Sequence, residues 1–325
     1  MIQIVLSAVV ITFIVNRYSL ISTLKATFFA GAIMTICSYI TVYVYPSWGL
    51  MTESFVGLWR GIFTHKNLLS VFSCFHIMIS IFLLLNEKKF ANRFIYFFVA
   101  ILQLLLIFFS GSSTGIVTLV IATIFSLSLV FIIKIKNKYL LAAFSTFYLF
   151  LISLSIYITI DLIGKIVSAF GKDLTFSGRT IIWQAVIQMI KEKPLFGYGY
   201  GTFWQVGSLT YNYVNEYVPD TDFHLQSHNG FLDIFTSIGL VGFILIMITI
   251  FIYLKRNLIL ILRTKNNIFL FPLIYLIFFI IYNLQESFFI EQNFVMWTFY
   301  VYFYTLLSLK TKEKDNNLKI SMKDQ

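Results

Sequence analysis

The chain has 325 residues, 59% of them hydrophobic and 12% charged, with a formal net charge of +10. A soluble domain is nearer half apolar and a quarter charged. This balance, with 37 phenylalanines and a mean hydropathy of +0.85, excludes an ordinary soluble fold and points to an all-α, polytopic integral membrane protein.

About nine apolar spans are expected, at 2–15, 26–45, 67–85, 94–110, 114–133, 139–160, 230–254, 268–284 and 294–309. The first is short, and Met1 opens directly into it with no basic start or small-residue cleavage site, so no cleavable leader is expected. Cys37 and Cys74 both fall inside apolar runs, which suits buried thiols better than a disulfide or a metal site. Alternate connections hold Arg17 and Lys25; Lys88, Lys89 and Arg93; Lys134, Lys136 and Lys138; and Lys255, Arg256, Arg263 and Lys265. The tail 310–325 adds Lys310, Lys312, Lys314, Lys319 and Lys323, so most of the 24 basic residues share one side. By the positive-inside rule that side is cytoplasmic, with the N-terminus outside and the C-terminus inside. The positive charge then reads as topology signal and attraction to anionic lipid, not as nucleic-acid binding. The charged tail is expected to be disordered. No internal repeat or low-complexity tract is visible.

Residues 161–229 break the run of short connections and form one large extracytoplasmic loop, a length that usually carries function. Within it, "SGRTIIWQAVIQMIKEKP" reads as an amphipathic helix with Ser177 as N-cap. Its apolar face is broad, and Thr180, Gln184, Gln188 and Lys191 form a polar stripe, so the helix is expected to lie on the bilayer surface. Arg179 sits in its first turn, where dipole and guanidinium together suit a diphosphate; snorkelling to lipid headgroups is the competing reading. "KPLFGYGYGTFW" follows, with Gly197, Gly199 and Gly201 at alternate positions. A dinucleotide fingerprint needs a preceding strand and G-x-G-x-x-G spacing, and neither is present. Turns and close backbone approach are the better use of these glycines, and Pro194 ends the helix before them.

Asp220 and Asp222, with His224 and His228, have spacing that a divalent metal could use, but loop carboxylates are commonly just solvated; no metal and no other cofactor is assigned. In "HLQSHNGFLDIFTSIGLVG", His228 and Asn229 lie where the seventh span begins. A helix N-terminus disfavours imidazolium, so His228 suits a general base, with simple capping as the alternative. His224 offers a second polar contact. Other outer corners carry Arg60, His65 and Lys66 in "GLWRGIFTHKN", the hydroxyls of "SGSSTG", and Asn283, Gln285, Glu286, Glu291 and Asn293 as contacts for sugar hydroxyls.

Taken together, "SGRTIIWQAVIQMIKEKPLFGYGYGTFW" and "SHNGFLDIFTSIGLVG" resemble the bacterial O-antigen ligase and polysaccharide polymerase superfamily. "GLWRGIFTHKN" with "SGSSTG" looks most like its exopolysaccharide-production branch. The resemblance covers roughly residues 55–245. It implies transfer of glycan from an undecaprenyl-diphosphate carrier to a glycan acceptor, outside the bacterial inner membrane, with inversion and without metal. It also implies a flippase and a chain-length regulator as partners. Carried over residue by residue, Arg179 meets the diphosphate and His228 serves the acceptor. Beside them, His224, Asn229, Gln184 and Trp183 are expected as further substrate contacts. Many ligases carry an arginine in the corner where this chain has Ser112, Ser113 and Thr114. Arg60, with Lys66, is expected to replace it.

The chemistry asks for the same kit. Charge grows on a departing diphosphate, which fixed cations stabilise, while the attacking hydroxyl must lose a proton to a base. Polymerase is the first reading and ligase the second. A polysaccharide transporter would want charges inside the spans, repeats or paired broken helices, and the sequence shows almost none of these. A non-catalytic assembly partner would tolerate loss of His228.

Overall fold

The computed structural model describes residues 2–52, 55–133, 179–217, 226–264, 266–290 and 294–321. Its helices are α1 (Ile2–Arg17), α2 (Leu20–Val44), α3 (Lys66–Asn86), α4 (Phe90–Ser110), α5 (Ser113–Ile133), α6 (Arg179–Glu192), α7 (Leu209–Tyr217), α8 (Gly230–Thr264), α9 (Leu270–Asn283) and α10 (Val295–Ser321). Four of them, α2, α3, α4 and α8, are long and apolar enough to cross a membrane. Shorter apolar helical pieces run over Ser7–Arg17, Ser113–Phe125 and Asn267–Asn283. Eight of the nine expected spans overlap a described helix, though only four of these helices are long and apolar enough to cross a membrane, and the span expected at 139–160 lies outside the described residues. The tail differs from expectation. Helix α10 continues to Ser321, so the charged stretch extends the last apolar helix instead of departing from it.

The chain divides into two compact units, Met1–Ile124 with Arg256–Tyr282 and Thr298–Gln325, and Phe125–Lys255 with Asn283–Trp297. In the first, α3 packs on α4 and α2 packs on both. Small residues permit this closeness, as expected where helices meet in lipid. A Cβ on Gly31 would fall 1.9 Å from the ring of His76, and one on Gly115 would fall 1.5 Å from Ser70 Oγ. Aromatic edges fill the rest of this core. Tyr275 meets Phe75 at 5.6 Å and Phe303 at 4.9 Å between ring centroids.

The second unit holds a small core of its own. Ile182, Ala185, Val186 and Met189 of α6 are buried with Phe203 and Val214, and Tyr198, Trp204, Tyr211, Tyr213 and Leu232 pack around them. This corrects the expected surface helix: protein covers the buried apolar face of α6, while Gln184, Gln188 and Lys191 lie on its exposed side. Pro194 does follow its end, as expected.

The glycine stretch straps this core to α8, which is broken at Gly239 (φ 65°, ψ −165°). The N–H groups of Tyr198 and Gly199 donate to the carbonyls of Thr236 and Ser237 at 2.7 and 3.0 Å. In return, Leu240 and Val241 donate to the carbonyls of Pro194 and Leu195 at 2.8 and 3.2 Å. Backbone groups released by the break are thus satisfied by the strap. Two positions require glycine. Gly197 (φ 67°) would place a Cβ 2.6 Å from the Thr236 carbonyl oxygen, and Gly239 would place one 2.3 Å from that of Leu195. One long apolar helix is thus interrupted at a point that its apolar run does not reveal.

Candidate functional site

Four consecutive residues build the site's frame. Ser227 Oγ donates to the Asn229 carbonyl at 2.8 Å and accepts from the Asn229 N–H at 3.1 Å. Asn229 Oδ1 accepts from the N–H groups of Phe231 and Leu232 at 3.0 and 3.3 Å, which caps α8. Gly230 has no room for a side chain, because a Cβ would fall 2.2 Å from Asn283 Oδ1. Its N–H donates instead to the Glu286 carbonyl at 3.1 Å. Between these, His228 adopts a left-handed backbone (φ 49°), a conformation that is uncommon without glycine and tends to collect at functional positions.

That backbone aims the imidazole at the corner after α9. His228 Nδ1 lies 2.9 Å from Glu286 Oε2 and 3.2 Å from the Gln226 amide nitrogen. The other carboxylate oxygen, Oε1, accepts from Arg179 Nη2 at 3.2 Å, and Arg179 Nη1 donates to the Gln285 carbonyl at 2.8 Å. Side-chain exposures of 15% for Arg179, 14% for His228 and 6% for Glu286 show a carboxylate seated below two cationic-capable groups that still reach the surface. In such a setting the charges hold one another, and removing one leaves the others uncompensated.

A second layer stiffens the frame. Trp183 Nε1 donates to the Ser227 carbonyl at 2.7 Å, tying α6 to the His228 segment. Trp204 Nε1 donates to Asp233 Oδ1 at 2.8 Å. The Ser287 hydroxyl also hydrogen-bonds the Asp233 carboxylate, which lies within electrostatic reach of His228.

The structure therefore brings Arg179 and His228 together through Glu286. Trp183 holds the loop backbone, Asn229 spends its side-chain oxygen on the helix cap, and Gln184 stands on the exposed side of α6. His224, Asp220 and Asp222 lie outside the described residues. Arg60 and Lys66 belong to the other unit. There, Arg60 donates to the carbonyls of Trp48 and Ser47 at 2.9 and 3.1 Å, and Lys66 donates to that of Gly111 at 3.3 Å and lies over the Phe55 ring. Sequence reasoning named Glu286 only as a sugar-hydroxyl contact and passed over Ser227, Trp204 and Asp233. The signal for Asp233 was available, since an acid one turn inside an apolar span needs partners.

Comparison with known proteins agrees with the motifs. Residues 98–247 match the family model described as O-antigen ligase. Over 85 residues the chain is 36% identical to "Exopolysaccharide production protein ExoQ" of Rhizobium meliloti (strain 1021). That stretch covers 26% of this chain and 20% of the relative. Both matches point to the superfamily and branch that the motifs resemble. The family match includes Arg179 and His228 and stops short of Glu286.

Proposed function

We propose that this chain is an inverting, metal-independent glycosyltransferase of the bacterial inner membrane. It lengthens a polysaccharide from units carried on undecaprenyl diphosphate, with its site on the extracytoplasmic face. The observation that carries the reading is the Arg179–Glu286–His228 cluster, in which a cation and an imidazole flank one carboxylate. In the reaction the acceptor hydroxyl oxygen bonds to the anomeric carbon as the bond from that carbon to the diphosphate breaks. The hydroxyl proton passes to His228, and the lipid diphosphate leaves with the bonding pair. A diphosphate is a good leaving group, so no acid is required; a cation beside it lowers the barrier by meeting the growing charge. Arg179 fills that role, and Arg60 with Lys66 supplies a second positive site.

Ligation of finished glycan onto a lipid A core or another acceptor is the second reading, favoured by the family model's description. A flippase and a chain-length regulator are the expected partners of either reaction. The test is reconstitution with a lipid-diphosphate-linked repeat unit in EDTA, read on a glycan gel. Wild type is expected to give a ladder. His228→Ala and Arg179→Ala should each lose about 100-fold or more of it, the scale of a missing general base or of a missing transition-state donor. Arg60→Ala should weaken it, and an unchanged ladder in that variant would remove Arg60 from the site. No wild-type product without a separate acceptor points to ligase, and none with either acceptor ends the enzymatic reading.

A further inference from the structure

We propose that Glu286 is the positioning residue of this site: its carboxylate holds the His228 proton on Nδ1, leaves Nε2 open to the acceptor hydroxyl, and ties that imidazole to Arg179. The inference rests on the glycosyltransferase reading above and adds a residue that lies outside the matched family region.

Three observations carry it. First, the two carboxylate oxygens are divided between the two groups, Oε2 to His228 Nδ1 at 2.9 Å and Oε1 to Arg179 Nη2 at 3.2 Å. An ionised carboxylate only accepts, and it stands closer to Nδ1 than the Gln226 amide nitrogen at 3.2 Å, which needs that nitrogen bare; the carboxylate therefore selects the tautomer that carries the proton on Nδ1. The remaining nitrogen then holds a lone pair, which is what an attacking hydroxyl requires of its base. Second, Glu286 is fixed by its own backbone as well as by its side chain. Its carbonyl accepts from the Gly230 N–H, and Asn283 Oδ1 accepts from the Phe288 N–H at 3.0 Å to brace the same corner. Third, the left-handed turn at His228 leaves the ring facing this corner. A strained turn that serves one side-chain direction is lasting only when the surroundings over-determine it, and Ser227, Asn229 and Gly230 do so here.

The link has a kinetic meaning. Arg179 and Glu286 neutralise each other while the site is empty of substrate. A donor diphosphate that draws the guanidinium leaves the carboxylate more fully to His228, which strengthens it as a base. Donor binding and base activation are then one event shared through one carboxylate.

Histidine labelled with ¹⁵N reads this directly in the full-length protein, because the ring nitrogens of the two neutral tautomers resonate apart. The His228 signals are assigned by their loss in His228→Ala, and the other histidines serve as internal references. Among the described residues, the charged groups around His228 are Glu286 from the corner after α9, Arg179 from α6 and Asp233 from α8. Wild type should show a protonated Nδ1 and a bare Nε2. In Glu286→Gln the tautomers should mix, since the acceptor that selects one of them is gone. With it, kcat should drop by roughly 10- to 100-fold, and the donor KM should change less. Glu286→Asp should restore part of the tautomer preference. An unchanged tautomer in Glu286→Gln, with the protein still folded by circular dichroism, overturns the proposal. Because the spectrum needs no turnover, failure of the glycosyltransferase reading leaves this result legible by itself.

Discussion

Asn229 shows how a single side chain can shape a candidate site through the backbone. Its oxygen caps α8 beside His228, the proposed base, so its loss should be felt in both the helix and the site. Asn229→Ala is expected to cost about 1 kcal/mol of stability and to speed hydrogen exchange at the Phe231 and Leu232 amides, while Asn229→Asp keeps both near wild type. If exchange at those amides were unchanged in the alanine variant, the cap would be irrelevant to the frame. Glu286 teaches the complementary lesson about reading a sequence. It stands 107 residues from Arg179 and 58 from His228 along the chain, so no local spacing connects the three. Arg179 and His228 were visible because each opens a helix; their connector was not, because only tertiary folding supplies it.

At the scale of elements, α6 and α8 were read from the same signal and came out differently. Apolar periodicity located both. For α6 it could not say whether lipid or protein would cover the apolar face, and Phe203 and Val214 from its own loop do so. For α8 an unbroken apolar run hid a break, because Gly239 is as apolar as its neighbours and its special backbone leaves no mark in hydropathy. The break gives a prediction that belongs to the pair of elements. Gly239→Ala should force a left-handed alanine and a contact of 2.3 Å with the Leu195 carbonyl, at a cost of roughly 1–3 kcal/mol or more. Limited proteolysis should then cut faster within residues 194–204. Equal cleavage rates in wild type and variant would mean the strap does not depend on the break.

For the whole molecule, the spans were the most legible feature, since a membrane leaves so few choices for an apolar run of that length. The side on which each connection lies is argued from lysine and arginine alone, and it can be measured. With Cys37 and Cys74 replaced, a cysteine at position 184, on the exposed side of α6, should react with a membrane-impermeant maleimide added outside intact spheroplasts. A cysteine at position 265 should react only after permeabilisation. The reverse pattern would put the site on the wrong face for a lipid-linked donor made ready outside. Length adds a further constraint. Helix α8 has 35 residues, or about 50 Å at 1.5 Å per residue, against a hydrocarbon core of about 30 Å. The apolar stretch between the break and Lys255 rises only about 22 Å, short of that thickness, so part of the helix before the break is needed to complete a span.

Gly197 and Gly239 face each other across the strap, each excluded from gaining a side chain by backbone of the other's segment. Neither contact can be relieved by moving a rotamer, because both obstacles are carbonyl oxygens. A side chain at one position therefore cannot be accommodated by a change at the other, and either would force the crossing itself apart. The strap is a fitted joint rather than a flexible hinge.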